Sequence, residues 1–208
     1  TSACCANIFN VSSLLISSLI SNPSCPWSVK GSSATSAMMP SSGNSFFIEY
    51  FCLDFLKGFM TKYFITGIGT DVGKTVAAAI VVEALSADYW KPIQAGELEH
   101  TDTHSVEELI SNSKSVMHEH SYALRTPMSP HAAAEIDGVQ IDLGKIKEPT
   151  TENHLVIEGA GGLLVPLNGK ETILDLIKSD YKVIVVSRHY LGSINHTLLT
   201  LSEIRRRG

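Results

Sequence analysis

Gly67-Ile68-Gly69-Thr70-Asp71-Val72-Gly73-Lys74-Thr75 is the stretch that decides how this chain folds. Just before it, Lys62-Tyr63-Phe64-Ile65-Thr66 is a short β-branched and aromatic run that reads as a buried strand. After it, Lys74 to Ala87 carries Val76, Ala79, Ile80 and Leu85 at helical spacing. A glycine-rich turn between a strand and a helix is the setting a phosphate-binding loop requires. Glycines let the backbone curl so that successive N–H groups face phosphate oxygens, and the helix N-terminus adds partial positive charge. On that reading Lys74 would reach the β and γ phosphates, and the Thr75 hydroxyl would be a magnesium ligand. One departure stands out: counted back from Gly73-Lys74-Thr75, the usual first glycine falls on Ile68, so Gly67 leaves a loop one residue longer. A glycine-rich turn that holds Lys-Thr by coincidence is the competing reading. Agreement among strand, turn, Lys-Thr and helix favours nucleotide binding.

Further along, Tyr89-Trp90-Lys91-Pro92-Ile93 reads as a second short strand and Thr103 to Ser111 as a helix with Val106, Leu109 and Ile110 on one face. His154 to Ile157 is a third strand, stopping at Glu158-Gly159-Ala160-Gly161-Gly162. Lys182 to Ser187 is a fourth, followed by Leu191-Gly192-Ser193 and a helix from Ile194 to Arg206. Strands without polar alternation, interleaved with helices, predict an α/β fold: a mostly parallel sheet with helices on both faces, P-loop NTPase-like. Ligands of such sheets bind beyond the carboxyl ends of the strands, where these glycine and polar clusters lie. No internal repeat is present.

The chain has 208 residues, 44% hydrophobic and 18% charged, with a net charge of -5. That balance argues against a nucleic-acid surface, and the lack of a run of about 18 apolar residues argues against a membrane span. The average conceals a boundary. Residues 1–59 hold 14 serines, all four cysteines and only Lys30, Glu49, Asp54 and Lys57 among the charged side chains. All eight histidines fall after them. The apolar patch Leu14-Leu15-Ile16-Ser17-Ser18-Leu19-Ile20 has no basic residue before it and does not make a secretory signal. Cys4, Cys5, Cys25 and Cys52 lack metal-type pairing. The expectation is a Ser-rich leader over 1–59, non-native upstream sequence or disordered, and one catalytic domain over 60–208 starting at Met60. A genuine Ser-rich extension is the alternative.

Magnesium takes oxygen ligands and keeps several waters, so one or two carboxylates are expected near the phosphates. Glu158, at the end of a buried strand, is one candidate. Asp102 is either a second or simply a helix N-cap. Lys91, inside a short apolar strand and followed by Pro92, is costly unless its ammonium emerges at a polar site or snorkels to solvent. The pairs His100/His104 and His118/His120 have no third ligand at a suitable spacing and read as exposed.

Taken in order, the loop ending Val72-Gly73-Lys74-Thr75, Lys91-Pro92-Ile93-Gln94-Ala95-Gly96, Asp102, Ser129-Pro130-His131, Glu158-Gly159-Ala160-Gly161-Gly162 and Gly192-Ser193-Ile194-Asn195-His196 resemble the dethiobiotin synthase family from Met60 to the last residue. The resemblance implies an ATP-dependent cyclo-ligase of biotin biosynthesis. Carbon dioxide carbamylates one amine of 7,8-diaminopelargonic acid, ATP phosphorylates the carbamate, and the second amine displaces phosphate from the resulting anhydride to close the ring. It implies Lys74 and Lys91 as catalytic cations, and Asp71, Val72, Gly73, Lys74, Thr75, Val76, Asp102, Glu158, Gly159, Ala160 and Gly161 around ATP. Thr75, Asp102 and Glu158 would hold Mg2+. Substrate contacts fall on Ala95, Ser129, Leu191, Gly192, Ser193 and Asn195, the last group binding a carboxylate at a helix start across a homodimer interface. Asn195 taken alone also reads as an ordinary first-turn residue. His131 is read as structural.

Two departures qualify the match. Ala95 replaces a Ser or Thr found in many members, leaving a backbone group or Gln94 to substitute for that hydroxyl contact. The chain stops at Arg205-Arg206-Arg207-Gly208, where the family continues with adenine-contacting strands, so the C-terminal part of the domain is expected to be missing. A partitioning-type ATPase would carry a signature lysine where this chain has Gly69, and a regulatory GTPase would carry Asn-Lys-x-Asp, which is absent. A non-catalytic phosphate-binding fragment is the reading from another class. The implied compartment is the cytoplasm.

Overall fold

The computed structural model describes residues 7–10 and 60–207. Eight strands and four helices follow in chain order. They are β1 (Asn7–Asn10), β2 (Lys62–Gly67), α1 (Lys74–Leu85), β3 (Asp88–Trp90), β4 (Ile93–Ala95) and α2 (Asp102–Leu109). After them come β5 (Met117–His118), β6 (Tyr122–Leu124), α3 (Pro130–Ile136), β7 (Leu155–Gly162), β8 (Tyr181–Ser187) and α4 (Ser193–Arg207). Two 3₁₀ turns, Leu143–Lys145 and Ile173–Leu176, flank β7.

Six strands form one parallel sheet in the order β1-β8-β2-β7-β3-β5. Its inner strands are apolar on both sides because both faces are covered, the usual condition of an all-parallel sheet. Tyr63 and Ile65 of β2, Val156 of β7 and Ile184 and Val186 of β8 pack on α1 through Ala77, Ala78, Val81 and Val82, with Val106 of α2 beside them. The alternate residues Phe64, Trp90, Leu155 and Ile157 face the other way, onto Ala133 and Ala134 of α3. Val183 and Val185 meet Leu201 and Ile204 of α4. The expected α/β fold with helices on both faces is therefore what the chain adopts.

Four readings of the sequence need correction. The strand expected over Tyr89–Ile93 is two strands in two sheets: β3 joins the main sheet, and β4 pairs only with β6. Pro92 has no N–H to continue a ladder, and its carbonyl instead accepts Ser121 and Tyr122 N–H at 2.8 and 3.0 Å. The third strand does not stop at Glu158. It runs on to Gly162, with a register shift that places Gly67 opposite Gly162. α1 ends at Leu85, before Ala87, because Ser86 turns left-handed at φ 49°. Asp102 is not the cap of α2. Thr101 holds that place, and its N–H donates to His104 Nδ1 at 3.0 Å. The expectation for residues 1–59 lies outside the described residues except at Asn7–Asn10, which run parallel to β8 with Asn7 opposite Ile184.

Candidate active site

The carboxyl ends of β2, β7 and β8 converge on the loop 68–73. Gly67 ends β2, and a β-carbon there would lie 2.6 Å from Val72 Cγ2, so the position admits no side chain without moving the loop. Asp71 and Gly73 take left-handed backbone, φ 53° and 93°, as the chain curls into α1. A non-glycine residue held in that region marks a backbone over-determined by its surroundings. α1 has no side-chain cap and no acid in its first turn, so its first N–H groups and its dipole are left available to an anion. The loop is tied down at both ends: Ile68 N–H donates to Val186 O at 3.1 Å, and Arg188 Nη1 donates to Asp71 O at 3.3 Å.

Lys74 opens α1 and folds back over the loop, donating from Nζ to Gly69 O at 2.9 Å. Burial lowers its ammonium to about 8; the charge of Glu158 opposes that shift and the charge of Lys91 adds to it. A cation so poorly solvated gains from any phosphate that replaces its lost water.

Next to it lies a buried carboxylate centre. Glu158 is 1% exposed, and Thr75, Tyr89 and Lys91 all present donors to its carboxylate. Its Oε1 accepts the Thr75 hydroxyl at 3.1 Å and faces Lys91 Nζ at 3.5 Å, and its Oε2 accepts the Tyr89 hydroxyl at 2.9 Å. Lys91 also makes an ion pair with Asp102, so one ammonium links the two acids. Burial, and then the charge of Glu158, pushes the Tyr89 phenol well above its ordinary value, which leaves it a fixed donor. The Lys91 backbone is pinned from behind, because His120 Nδ1 lies 2.8 Å from Lys91 O. Burial lowers the His120 imidazole, against the pull of that hydrogen bond.

Lys74, Thr75, Lys91, Asp102 and Glu158 are thus neighbours in the structure. Gly159 follows Glu158 in β7, where a β-carbon would press on Ile173 and Phe64 at 3.1 Å. Asp71 and Val76 are exposed on the loop and the first turn, and Val72 is buried beneath them. The hydrogen bonds of the centre do not extend to the other candidates among the described residues. Ser129 stands just before α3 without a side-chain capping bond, and its hydroxyl lies 3.2 Å from His131 Nδ1. Ala95 ends β4, next to Gly96, whose β-carbon would meet Pro127 at 2.5 Å. Leu191 is fully exposed, Gly192 turns with φ 100°, Ser193 is buried at the start of α4, and Asn195 is exposed in its first turn.

The histidine pairs differ from expectation. His100 and His104 are exposed, but His118 and His120 are half-buried and engaged, His118 Nε2 with Asp88 at 3.3 Å and His120 with Lys91. No cluster of three His, Cys, Asp or Glu suited to a metal occurs among the described residues. Sequence reasoning missed Tyr89 and His120 as neighbours of the site. Both sit on short strand or loop segments, and each meets a partner distant in sequence.

Comparison with known proteins agrees with this geometry. Residues 61–208 match a family described as an AAA domain. A protein of Christiangramia forsetii is 66% identical over 147 residues, 71% of each chain, and one of Cytophaga hutchinsonii is 55% identical over 150 residues, 71% of this chain and 72% of the relative. One from Chlamydia pneumoniae is 47% identical over 149 residues, 71% of this chain and 67% of the relative. All three are named ATP-dependent dethiobiotin synthetase BioD. With the loop, Lys91 and Glu158 arranged as described, the chain belongs to the ATP-dependent dethiobiotin synthetases, ligases of biotin biosynthesis.

Proposed function

We propose that this protein joins CO2 to 7,8-diaminopelargonic acid at the expense of ATP, closing the cyclic urea of dethiobiotin. One amine adds to CO2 and loses a proton to give a carbamate. A carbamate oxygen takes the γ-phosphoryl group and ADP leaves. The second amine then attacks the carbamoyl carbon, and phosphate departs as the ring closes. Every step gathers negative charge, so catalysis rests on placed cations and donors.

The observation that carries this reading is the position of Lys91, which meets both Asp102 and Glu158 within reach of the phosphate loop. There its ammonium can hold a carbamate while Lys74 holds the phosphates. Asp71, Val72, Gly73, Val76, Gly159, Ala160 and Gly161 would line the nucleotide. The oxygen donors Thr75, Asp102 and Glu158 suit magnesium, which favours one or two carboxylates with waters and phosphate. Magnesium bound there would neutralise β and γ phosphate charge. Glu158 already accepts the Thr75 hydroxyl, which supports their sharing one ion.

Ala95 and Ser129 would border the diamine. Its carboxylate would meet the start of α4 at Leu191, Gly192, Ser193 and Asn195, a helix terminus suited to an anion. Leu191, Ile194 and Leu198 form an exposed stripe at that terminus, which supports a homodimer built on it. The catalytic unit would run from Met60 onward, with Asn7–Asn10 adding only an edge strand to its sheet. No described helix is long and apolar enough to cross a membrane. We place the activity in the cytoplasm, without a nucleic-acid or membrane partner.

The test is phosphate release from ATP in bicarbonate, with and without the diamine. Release that requires the diamine is expected, and Lys91→Ala should lower kcat by about 10²- to 10³-fold, the usual cost of losing a transition-state donor. Release indifferent to the diamine contradicts the assignment. A fully active Lys91→Ala variant removes Lys91 from the chemistry.

A further inference from the structure

The geometry points to Tyr89 as a positioning residue for catalysis, acting through Glu158 from inside the core. The inference deepens the function proposed above and rests on it. Glu158 has two oxygens and two sets of partners. Oε1 faces the site, toward Thr75 and Lys91, and Oε2 faces inward, where Tyr89 donates at 2.9 Å.

Tyr89 has no accessible surface and belongs to the apolar cluster under α1, with Ile65, Ala78, Val82 and Val156. A phenol in such a place needs a partner for its hydroxyl, and a carboxylate can only accept. The bond therefore has one direction and fixes the plane of the carboxyl group. Fixing that plane sets where Oε1 points, and hence where the Thr75 hydroxyl and the Lys91 ammonium stand. Lys91 is only two residues beyond Tyr89 and lies on the same side of the chain, so one three-residue segment supplies both the inner and an outer partner of Glu158. Trp90 between them faces the opposite core and anchors the segment through Nε1, which donates to Glu119 O at 3.1 Å.

A purely structural tyrosine would cost stability and nothing else. The two roles separate in a double-mutant cycle on the full-length protein. Tyr89→Phe keeps the ring and removes the donor, and Glu158→Gln removes the acceptor's charge. The expected result is a fall in kcat of about tenfold for Tyr89→Phe, the scale of an outer hydrogen-bond partner, with ATP affinity in EDTA unchanged and no further fall when it is added to Glu158→Gln. Tyr63→Phe, in the same cluster but away from Glu158, serves as control for hydroxyl loss and should leave kcat unchanged.

The proposal is overturned if Tyr89→Phe keeps wild-type kcat. It is equally overturned if its effect is the same factor in both backgrounds, or if Tyr63→Phe lowers kcat as much. Should the wild-type protein not turn over the diamine, the functional assignment fails separately. The same cycle, read on the tightening of ATP binding by magnesium, then judges Tyr89: coupling between the two substitutions supports it and additivity contradicts it.

Discussion

At Gly67 the absence of a single carbon decides whether the phosphate loop can close. A β-carbon there would meet Val72 Cγ2 at 2.6 Å and Gly69 O at 3.1 Å, and the second contact is backbone, which cannot swing away. Gly67→Ala should therefore push the loop out of register, weakening ATP binding by at least about tenfold and destabilising the fold by about 1–3 kcal/mol, the range for overpacking a tight site. Calorimetric ATP titration and denaturant unfolding check the two numbers, and unchanged ATP affinity would count against the loop assignment. The longer loop was legible in the sequence as a glycine one position early; the reason for it was not. Lys91 was legible as an anomaly, a lysine in an apolar strand, and Asp102 only as one of two alternatives. Tyr89 gave no signal, because a tyrosine in a strand is ordinary and its partner lies 69 residues away.

The elements hold together through a few side chains that tie one to the next. Glu83, near the end of α1, accepts from Ser111 N at 3.0 Å, Ser111 Oγ at 2.5 Å, Asn112 N at 3.1 Å and Asn112 Nδ2 at 2.9 Å, fastening the turn after α2. The Ser111 and Asn112 donors hold its carboxyl down at about 2, against 4.5 for a free group. A carboxyl depressed by folding contributes stability that is present above the unfolded value and is lost as pH falls toward the folded one. Glu83→Gln should cost about 1 kcal/mol at pH 7, discounted for solvent exposure. The gap between wild type and variant should shrink as pH drops from 4.5 toward 2. Urea unfolding at pH 7 and pH 3.5 measures it, and a gap that widens at low pH would refute the sign. The long elements β2, α1, β8 and α4 could be read from apolar runs and helical spacing within one or two residues. β5, β6 and α3 have two, three and seven residues, too few to show a period. The break at Pro92 was written in the sequence, but proline in a short apolar run does not say which sheet takes up the second half.

As a whole, the described molecule is a doubly covered parallel sheet with its chemistry at one rim and an unpartnered apolar stripe next to it. Leu191, just before α4, is fully exposed, and Ile194 and Leu198 in its first two turns are 76% and 62% exposed. Exposed apolar side chains this close in sequence support the dimer proposed above. Leu198→Asp should convert a dimer to monomers in sedimentation equilibrium without unfolding them, and a wild-type monomer at micromolar concentration would contradict the dimer. Fold class and the phosphate site were readable because a strand, a glycine loop and a helix make a local signal. The carboxylate centre is a tertiary product of β3, α2 and β7, and only resemblance to a family joined those residues in advance. Isotope transfer reads the proposed reaction itself. The full-length protein is incubated with ATP, magnesium, 7,8-diaminopelargonic acid and ¹³C-bicarbonate, and the products are read by mass spectrometry. One labelled carbon in a cyclic urea is expected for each ADP formed, and neither product when the diamine is withheld. ADP formed without the diamine, or with it but without labelled urea, would contradict the proposed reaction.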